Sequence, residues 1–245
     1  MLFQITFLAA IIPSILLILY VSGSDKYPEP SKMLWKTFVA GLLIVFPVLL
    51  FVQPIDYLIQ ESSLIHSPFA LSFSMAFLTA AIPEEFFKFI ILSKFCARSK
   101  HFDEPMDGIV YAAVASLGFA TFENILYVMD GGLTLAIARG LTAVPAHASF
   151  GIIMGSFYAH AHFSGKKPSL LSPAYIIPVI LHGFYNFFIF YPTNLVSQYS
   201  EFNDIPFLEG IFFFLSIIAF IFVFGFTLRK AYHLLQEMIL EQEGL

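Results

Sequence analysis

Residues 1–21 read MLFQITFLAAIIPSILLILYV, a stretch in which no side chain carries a full charge. As a helix, this stretch is long enough to cross the hydrocarbon core of a bilayer, which takes about 20 apolar residues. No basic segment precedes the apolar residues, as it would in a secretory signal. We therefore interpret the stretch as a retained transmembrane helix.

The composition of the whole chain also indicates a membrane protein. Of its 245 residues, 58% are hydrophobic and only 12% are charged, which is about half the charged fraction of a typical globular protein. The net charge is −5 and the basic residues are scattered over short connections, so we expect no nucleic-acid partner. The single cysteine, Cys96, excludes an internal disulfide and a cysteine-based zinc site.

Seven apolar runs of about 20 residues follow one another along the chain, separated by short connections. They cover residues 3–21, 34–52, 69–91, 108–128, 141–162, 171–190 and 206–228. This pattern predicts an all-α polytopic protein of the cell membrane with about seven transmembrane helices. Because no connection is long, we expect residues 1–245 to form a single domain.

The basic residues predict the orientation in the membrane. Ten of the twelve flank the first, third and fifth connections or open the C-terminal tail: Lys26, Lys32, Lys36, Lys94, Arg98, Lys100, Lys166, Lys167, Arg229 and Lys230. Basic residues are enriched on the cytoplasmic side. We therefore expect the N-terminus outside the cell and the C-terminus in the cytoplasm. The tail itself is compatible with a helix on the membrane surface or with a continuation of the last span.

Polar and ionisable side chains inside the spans are few, and they lie in the third to sixth segments. They are Glu84, Glu85, Lys88, Glu123, Asn124, His147, His182 and Asn186. A charged side chain near the centre of a membrane helix costs roughly 2.5–3.5 kcal/mol on insertion scales. These groups are therefore expected to face the protein interior and to bind one another.

Spacing predicts which of these side chains share a helical face. Glu84 and Lys88 are four residues apart with the acid first, the favourable order for an ion pair, and this pairing leaves Glu85 free. His182 and Asn186 have the same spacing. In the fifth segment Gly151 and Gly155 form a GxxxG pattern, which predicts close approach of another helix.

Prolines near the ionisable residues predict helix bends. Pro83 precedes Glu84, and Pro145 and Pro178 lie shortly before the two intramembrane histidines. A proline frees a backbone carbonyl, which is tolerated at membrane depth only inside protein or beside water. We therefore expect these helices to surround a water-filled cavity.

Four motifs in this order resemble those of the PrsW-type intramembrane proteases, distant relatives of the type II CAAX prenyl endopeptidases. The motifs are Pro83-Glu84-Glu85-Phe86-Phe87-Lys88, Gly118-Phe119-Ala120-Thr121-Phe122-Glu123-Asn124, Pro145-Ala146-His147 and His182-Gly183-Phe184-Tyr185-Asn186. They lie in a core of about residues 69–191. The CAAX branch ends the second motif in His where this chain has Glu123, which argues against a prenyl-protein substrate.

The resemblance implies hydrolysis of a peptide bond in a membrane-anchored protein, as in the clipping of membrane-anchored anti-sigma factors. Amide hydrolysis needs an activated water, an oxyanion donor and a proton for the leaving amine. One of Glu84 and Glu85 could be the general base while Lys88 keeps the other ionised, and we favour Glu85. Asn186 could supply the oxyanion donor, and either intramembrane histidine could protonate the amine.

A metal-dependent version of the same reaction is the alternative mechanism. Zinc would be bound by Glu123, His147 and His182, with Glu85 activating its water, because three N or O ligands and an open position are typical of catalytic zinc. No HExxH motif is present. Residue types and spacing do not choose between the two mechanisms.

A second class of function is a proton- or cation-coupled transporter, for which buried Glu, Lys and His are equally natural. Such a fold often has inverted repeats with broken helices in both halves, which we do not find in the seven runs. Arg139, near the outer boundary, is either an interfacial anchor or a supporting site residue. Asn124 is either a supporting site residue or a hydrogen-bond partner of a neighbouring helix.

Overall fold

The computed structural model describes residues 2–199 and 201–244, and the regular structure within these ranges is helical. The helices are α1 (Leu2–Gly23), α2 (Ser31–Leu43), α3 (Val45–Gln60), α4 (Pro68–Ser74), α5 (Ile82–Ile90), α6 (Pro105–Leu141), α7 (Ala143–Phe163), α8 (Pro173–Ser197) and α9 (Phe207–Glu243). Two π-helical segments, Met75–Ala81 and Ile91–Phe95, flank α5, and short 3₁₀ turns occur at Ser63–His66, Cys96–Arg98 and Phe202–Asp204.

Six helical segments of the described residues are long and apolar enough to cross a membrane. They are Gln4–Gly23, Ser31–Gln60, Pro105–Met129, Gly131–Phe163, Pro173–Ser197 and Phe207–Glu243. Residues 68–95 form a further helical stretch in which α and π turns alternate. These seven stretches overlap the seven predicted spans, which confirms the all-α polytopic fold. α6 and α7 form the buried centre, and α9 lies at the periphery.

The third stretch is not a regular α-helix around Pro83, where a bend was predicted. Pro83 has no N–H, so it cannot form the α-helical bond to the carbonyl of Thr79. The turn before it widens, and the N–H of Ile82 donates to the carbonyl of Phe77, five residues back. Such π-helical turns often occur at functional sites, and here they surround the short helix that carries the glutamate pair.

Residues 129–140 were predicted to form the fourth connection between spans, but most of this range is helical. α6 is helical on both sides of a break at Gly132, where φ is 66° and ψ is −161°. A positive φ of this kind favours glycine. In a straight helix, side chains 15 residues apart would be separated by about 22 Å. Instead the Nε atom of Arg139 lies 3.1 Å from Asn124 Oδ1, so the chain reverses at Gly132.

The C-terminal tail continues the last span as a helix to Glu243. Its apolar face is buried: Leu235 is 1% exposed, and it packs in one cluster with Val21 of α1 and Met106 of α6. This contact decides between the two alternatives that the sequence left open, because the apolar face covers other helices of the protein. The C-terminal part of α9 therefore packs against the end of α1 and the start of α6.

The predicted close approach at the GxxxG pattern is confirmed between α7 and α6. A Cβ atom at Gly155 would lie 2.1 Å from the carbonyl oxygen of Gly108, and one at Gly151 would lie 2.7 Å from that of Ala112. Both distances are below van der Waals contact with rigid backbone. The two central helices therefore pack backbone to backbone, and this positions the ionisable side chains of α7 against those of α6.

We expect Gly155→Ala to lower the free energy of unfolding by about 1–3 kcal/mol, the usual cost of overpacking. Thermal unfolding of the detergent-solubilised protein measures this loss. Gly225→Ala in α9 is the matched control, because a Cβ atom there meets no other atom within 4 Å. Equal stability of the two variants would contradict the tight α6–α7 contact.

Candidate active site

The glutamate pair and the lysine of α5 are buried together. Glu84 is 7% exposed, Glu85 0% and Lys88 1%. The ammonium nitrogen of Lys88 lies 2.7 Å from Glu85 Oε1 and 3.6 Å from Glu84 Oε2. The predicted ion pair of Lys88 with Glu84 is present at the longer distance, but the prediction that this pairing leaves Glu85 free is wrong. Lys88 bonds the residue three positions back, and Glu84 is the acid without a short contact to it.

His182 of α8 explains why Glu85 is the firmly held acid. Its Nδ1 atom lies 2.9 Å from Glu85 Oε1, the same oxygen that Lys88 contacts. A carboxylate only accepts hydrogen bonds, so His182 Nδ1 carries the hydrogen and donates it. The Nε2 atom then has a free lone pair, and it lies 3.8 Å from Glu84 Oε2.

His147 of α7 has the opposite tautomer. Its Nδ1 atom lies 3.0 Å from the ammonium nitrogen of Lys88, which can only donate, so Nδ1 accepts. The hydrogen is therefore on Nε2, which donates to Glu123 Oε2 at 3.0 Å. The rings of His147 and His182 meet edge to face, with centroids 5.1 Å apart. Two imidazoles from different helices thus lie side by side, each oriented by a carboxylate.

Arg139 supports this arrangement from the returning part of α6. Its Nη2 atom lies 2.9 Å from Glu123 Oε2, and its Nε atom donates to Asn124 Oδ1. The guanidinium also stacks 3.9 Å over the ring of Tyr127. Asn124 in turn donates to the backbone carbonyl of Ala10 in α1 at 2.9 Å, so it bonds a neighbouring helix.

Four of these residues form a group that could hold a metal ion. Glu84, Glu85, His147 and His182 each offer one ligand atom, and these atoms all lie within 4.8 Å of one another. The predicted zinc ligands shared only the two histidines with this group. Glu123 lies on the far side of the His147 ring, because the guanidinium of Arg139 holds its carboxylate there.

Two oxygens in this group lack partners. Glu84 Oε2 and Glu85 Oε2 are shielded from solvent and have no hydrogen-bond partner among the described residues. A buried carboxylate oxygen without a donor is costly, since burial removes its bonds to water. Both oxygens therefore favour a proton, a water molecule or a cation beside them.

Two further features of the site concern residues to which the sequence assigned no role. The ring face of Phe119, quoted in the second motif, lies 4.6 Å from the ammonium of Lys88, a cation–π contact. Tyr175 of α8 donates its hydroxyl hydrogen to the carbonyl of Ile82 at 3.0 Å. Neither contact has a signal in local sequence, because each joins residues that are far apart along the chain.

A cavity of about 160 Å³ lies beside the glutamate-bearing turn. Its lining is mostly apolar and consists of Phe51, Ile82, Pro83, Phe86, Phe87 and Tyr175. The cavity touches Pro83, the residue that precedes Glu84.

Asn186, the predicted oxyanion donor, lies one turn after His182 in α8. It is half-buried and makes no side-chain hydrogen bond with another described residue.

Comparison of the chain with known proteins identifies its family. The model of the PrsW family intramembrane metalloproteases matches residues 29–226, about four-fifths of the chain. The chain belongs to the PrsW protease family. The protease PrsW of Bacillus subtilis (strain 168) is 35% identical over 226 residues, covering 91% of this chain and 92% of the relative.

Two other PrsW relatives agree. The protease PrsW of Geobacillus kaustophilus (strain HTA426) is 40% identical over 183 residues, which cover 74% of this chain and 78% of that protein. The protease PrsW of Oceanobacillus iheyensis (strain DSM 14371 / CIP 107618 / JCM 11309 / KCTC 3954 / HTE831) is 37% identical over 183 residues, with coverage of 74% and 81%. No solved structure matches this chain.

Membership in the PrsW family makes this chain a multi-pass membrane peptidase that acts on a protein substrate in the membrane. The predicted protease function is confirmed at this level, and the transporter alternative is not supported. The buried cluster of acids and imidazoles fits an intramembrane protease, because it brings together groups that can bind water and move protons.

The family description names a metalloprotease, and the donor set of this PrsW-family chain fits a metal ion. Imidazole nitrogens and carboxylate oxygens are the ligands of catalytic zinc. Each imidazole hydrogen is already bonded to a carboxylate, the arrangement that orients histidine ligands in metal sites. The unpartnered oxygen of Glu84 would then complete a set of three donors.

Proposed function

We propose that this chain hydrolyses a peptide bond in a single-span, membrane-anchored protein, of which an anti-sigma factor is the model substrate. One observation carries the proposal. Glu84 Oε2 and His182 Nε2, from two different helices, lie 3.8 Å apart, and neither atom accepts a hydrogen bond from another described residue. A single water molecule can donate one hydrogen to each, which leaves its lone pairs directed away from both.

We assign the role of general base to Glu84 and revise our expectation for Glu85. The Oε1 atom of Glu85 accepts from both Lys88 and His182, so this acid serves to anchor two neighbours. Glu84 has no such bond and is the more exposed of the pair. A base must take a proton from water while the oxygen attacks the carbonyl carbon, and an oxygen free of other donors is suited to this.

The remaining steps use groups nearby. The proton taken by Glu84 passes to the leaving amine nitrogen as the C–N bond breaks, which restores the carboxylate. Asn186, one turn from His182 on the same helix, has an amide free to donate to the oxyanion. The carboxylates of Glu85 and Glu123 keep His182 and His147 in fixed tautomers throughout.

The same cluster also suggests which side chains would hold a metal ion. We propose Glu84 Oε2, His147 Nδ1 and His182 Nε2 as ligands, with Glu123 orienting His147 and Glu85 orienting His182. Metal binding by His147 Nδ1 would replace the hydrogen bond that this atom accepts from Lys88. This revises the ligand set of Glu123, His147 and His182. Bound zinc would act as a Lewis acid and would lower the pKa of its water.

Removing divalent metals tests this assignment. We expect rigorous chelation of the reconstituted protein to abolish cleavage of a single-span substrate, and stoichiometric Zn²⁺ to restore it. Metal analysis should find about one zinc per chain, lost in His147→Ala and retained in Glu237→Gln, an exposed acid of α9. Full activity after chelation would eliminate zinc and leave Glu84 to activate water without a metal.

A further inference from the structure

A second group of acids lies apart from the active site, where the α1–α2 connection meets the start of α6. Asp25 belongs to the connection between α1 and α2, Glu104 immediately precedes α6, and Asp107 lies in the first turn of α6. Each offers a carboxylate oxygen, and these oxygens lie within 4.8 Å of one another. Asp25 is 5% exposed and Asp107 0%.

The negative charge of this acidic group has no cationic partner among the described residues. None of the ion pairs between described residues involves Asp25, Glu104 or Asp107. The nearest basic side chain in sequence, Lys26, instead donates from its ammonium to the backbone carbonyl of Gln242 at 3.0 Å. Burying carboxylates without a cation is strongly unfavourable, so the group favours a ligand of positive charge.

Two carboxylate oxygens in the acidic group have nothing to bind. Asp25 Oδ2 and Asp107 Oδ1 are shielded from solvent and have no hydrogen-bond partner in the part of the chain that the structure describes. The other oxygen of Asp107 accepts from the backbone N–H groups of Asp103 and Glu104, both at 2.7 Å, which holds this carboxylate in place. Asp107 Oδ1 is thus a buried acceptor held in a fixed orientation, and the carboxyl group of Glu29 beside Asp107 adds a further acid to its surroundings.

Gln242, near the end of α9, closes the acidic group from the third side. Its Nε2 atom donates to Asp25 Oδ1 at 2.8 Å and to Glu104 Oε1 at 2.6 Å. This places the two acids against the last helix as well as against each other. A ligand bound here would therefore connect the α1–α2 connection, α6 and the C-terminal helix.

We propose that Asp25, Glu104 and Asp107 form a binding site for Ca²⁺, separate from the catalytic cluster. The donors are oxygens alone, which hard cations prefer. Ca²⁺ binds oxygens at 2.3–2.6 Å, so ligands on opposite sides of the ion are about 4.6–5.2 Å apart. The three oxygens all lie within 4.8 Å of one another, which is close enough for one Ca²⁺ ion to contact them all. Mg²⁺ requires shorter distances and strict octahedral geometry.

The bound ion would stabilise the junction on which α6 is anchored. The same junction contains the buried apolar face of the C-terminal helix, where Leu235 packs against Met106. α6 also carries Glu123, which orients His147. Calcium would thus hold the end of the helix that supplies one of the two carboxylates of the imidazole pair.

Calcium binding to the full-length protein in detergent tests the proposal. We expect isothermal titration with CaCl₂ to show one saturable site per chain, and Ca²⁺ to raise the Tm. Asp25→Asn keeps an oxygen that can accept from Gln242 but removes the charge, and it should weaken binding at least tenfold. Glu237→Gln, an exposed acid on the same final helix, is the matched control and should bind as the wild type does.

A second variant separates this site from the catalytic cluster. Glu84→Gln should leave calcium affinity unchanged, whereas loss of binding in that variant would assign the ion to the catalytic cluster and overturn the proposal. Absence of saturable binding by the folded protein, or equal affinity in Asp25→Asn, would overturn it as well. Tighter binding of Mg²⁺ than of Ca²⁺ would also contradict it. None of these outcomes depends on proteolytic activity.

Discussion

Replacing Glu84 by Gln should reduce cleavage of a reconstituted single-span substrate by about 100-fold or more, the usual contribution of a general base. Glutamine has nearly the same shape but cannot take a proton from water. The same loss is expected if Glu84 binds a metal ion, because a neutral amide is a poor ligand. Glu84 makes no hydrogen bond through Oε2, and Lys88 keeps its shorter contact to Glu85 in the variant, so the Tm should change little.

The controls for this prediction separate chemistry from folding. Glu237→Gln makes the same chemical change at an exposed position and should retain full activity. Cleavage products are measured by gel or mass spectrometry, and Tm is measured on the same preparations. Retained turnover in Glu84→Gln would remove this residue from the mechanism. A large fall in Tm together with lost turnover would assign it a structural role.

The largest effect on stability is expected at Lys88. Lys88→Met removes the ammonium that lies 2.7 Å from Glu85 Oε1 and leaves this acid, 0% exposed, without its counter-charge. Breaking a buried ion pair by removing one partner costs about 3–5 kcal/mol. The variant also leaves His147 Nδ1 without its donor. Denaturant unfolding in mixed micelles measures this loss.

The double variant Lys88→Met, Glu85→Gln provides the rescue. With Glu85 neutral, the methionine no longer leaves a buried charge uncompensated, and most of the lost stability should return. Adding Glu237→Gln to Lys88→Met should restore nothing, because this acid is exposed in α9. If Lys88→Met were as stable as the wild type, or if the double variant were no better than the single one, the ion pair would not hold α5 in place.

The membrane-spanning segments were predictable from the sequence to a large extent. Each of the seven predicted apolar runs overlaps a helical stretch of the structure. The cost of placing charge in hydrocarbon also predicted that the ionisable residues would cluster. The prediction of the fourth connection failed because the chain reverses at a single residue, Gly132. Residues 129–140 were expected to connect two spans, whereas helix continues on either side of Gly132.

The pairing within the site was less predictable. Helical spacing alone favoured Glu84 as the partner of Lys88, but three and four residues lie on nearly the same face, so spacing could not separate Glu84 from Glu85. The hydrogen bond from His182 of α8 makes Glu85 the more firmly held of the two acids. The predicted zinc ligands share only the two histidines with the cluster, because Arg139 holds Glu123 away from it.

The sequence by itself determined that this chain crosses a membrane and that its scarce acids, lysine and imidazoles turn inward, because hydrocarbon neither hydrates charge nor supplies hydrogen bonds. Only the tertiary structure decided which acid is anchored and which is free. Those roles depend on donors that arrive from other helices: His182 on Glu85, and Arg139 on Glu123. A contact between residues distant along the chain depends on how whole helices pack, so the local spacing of residues does not predict it.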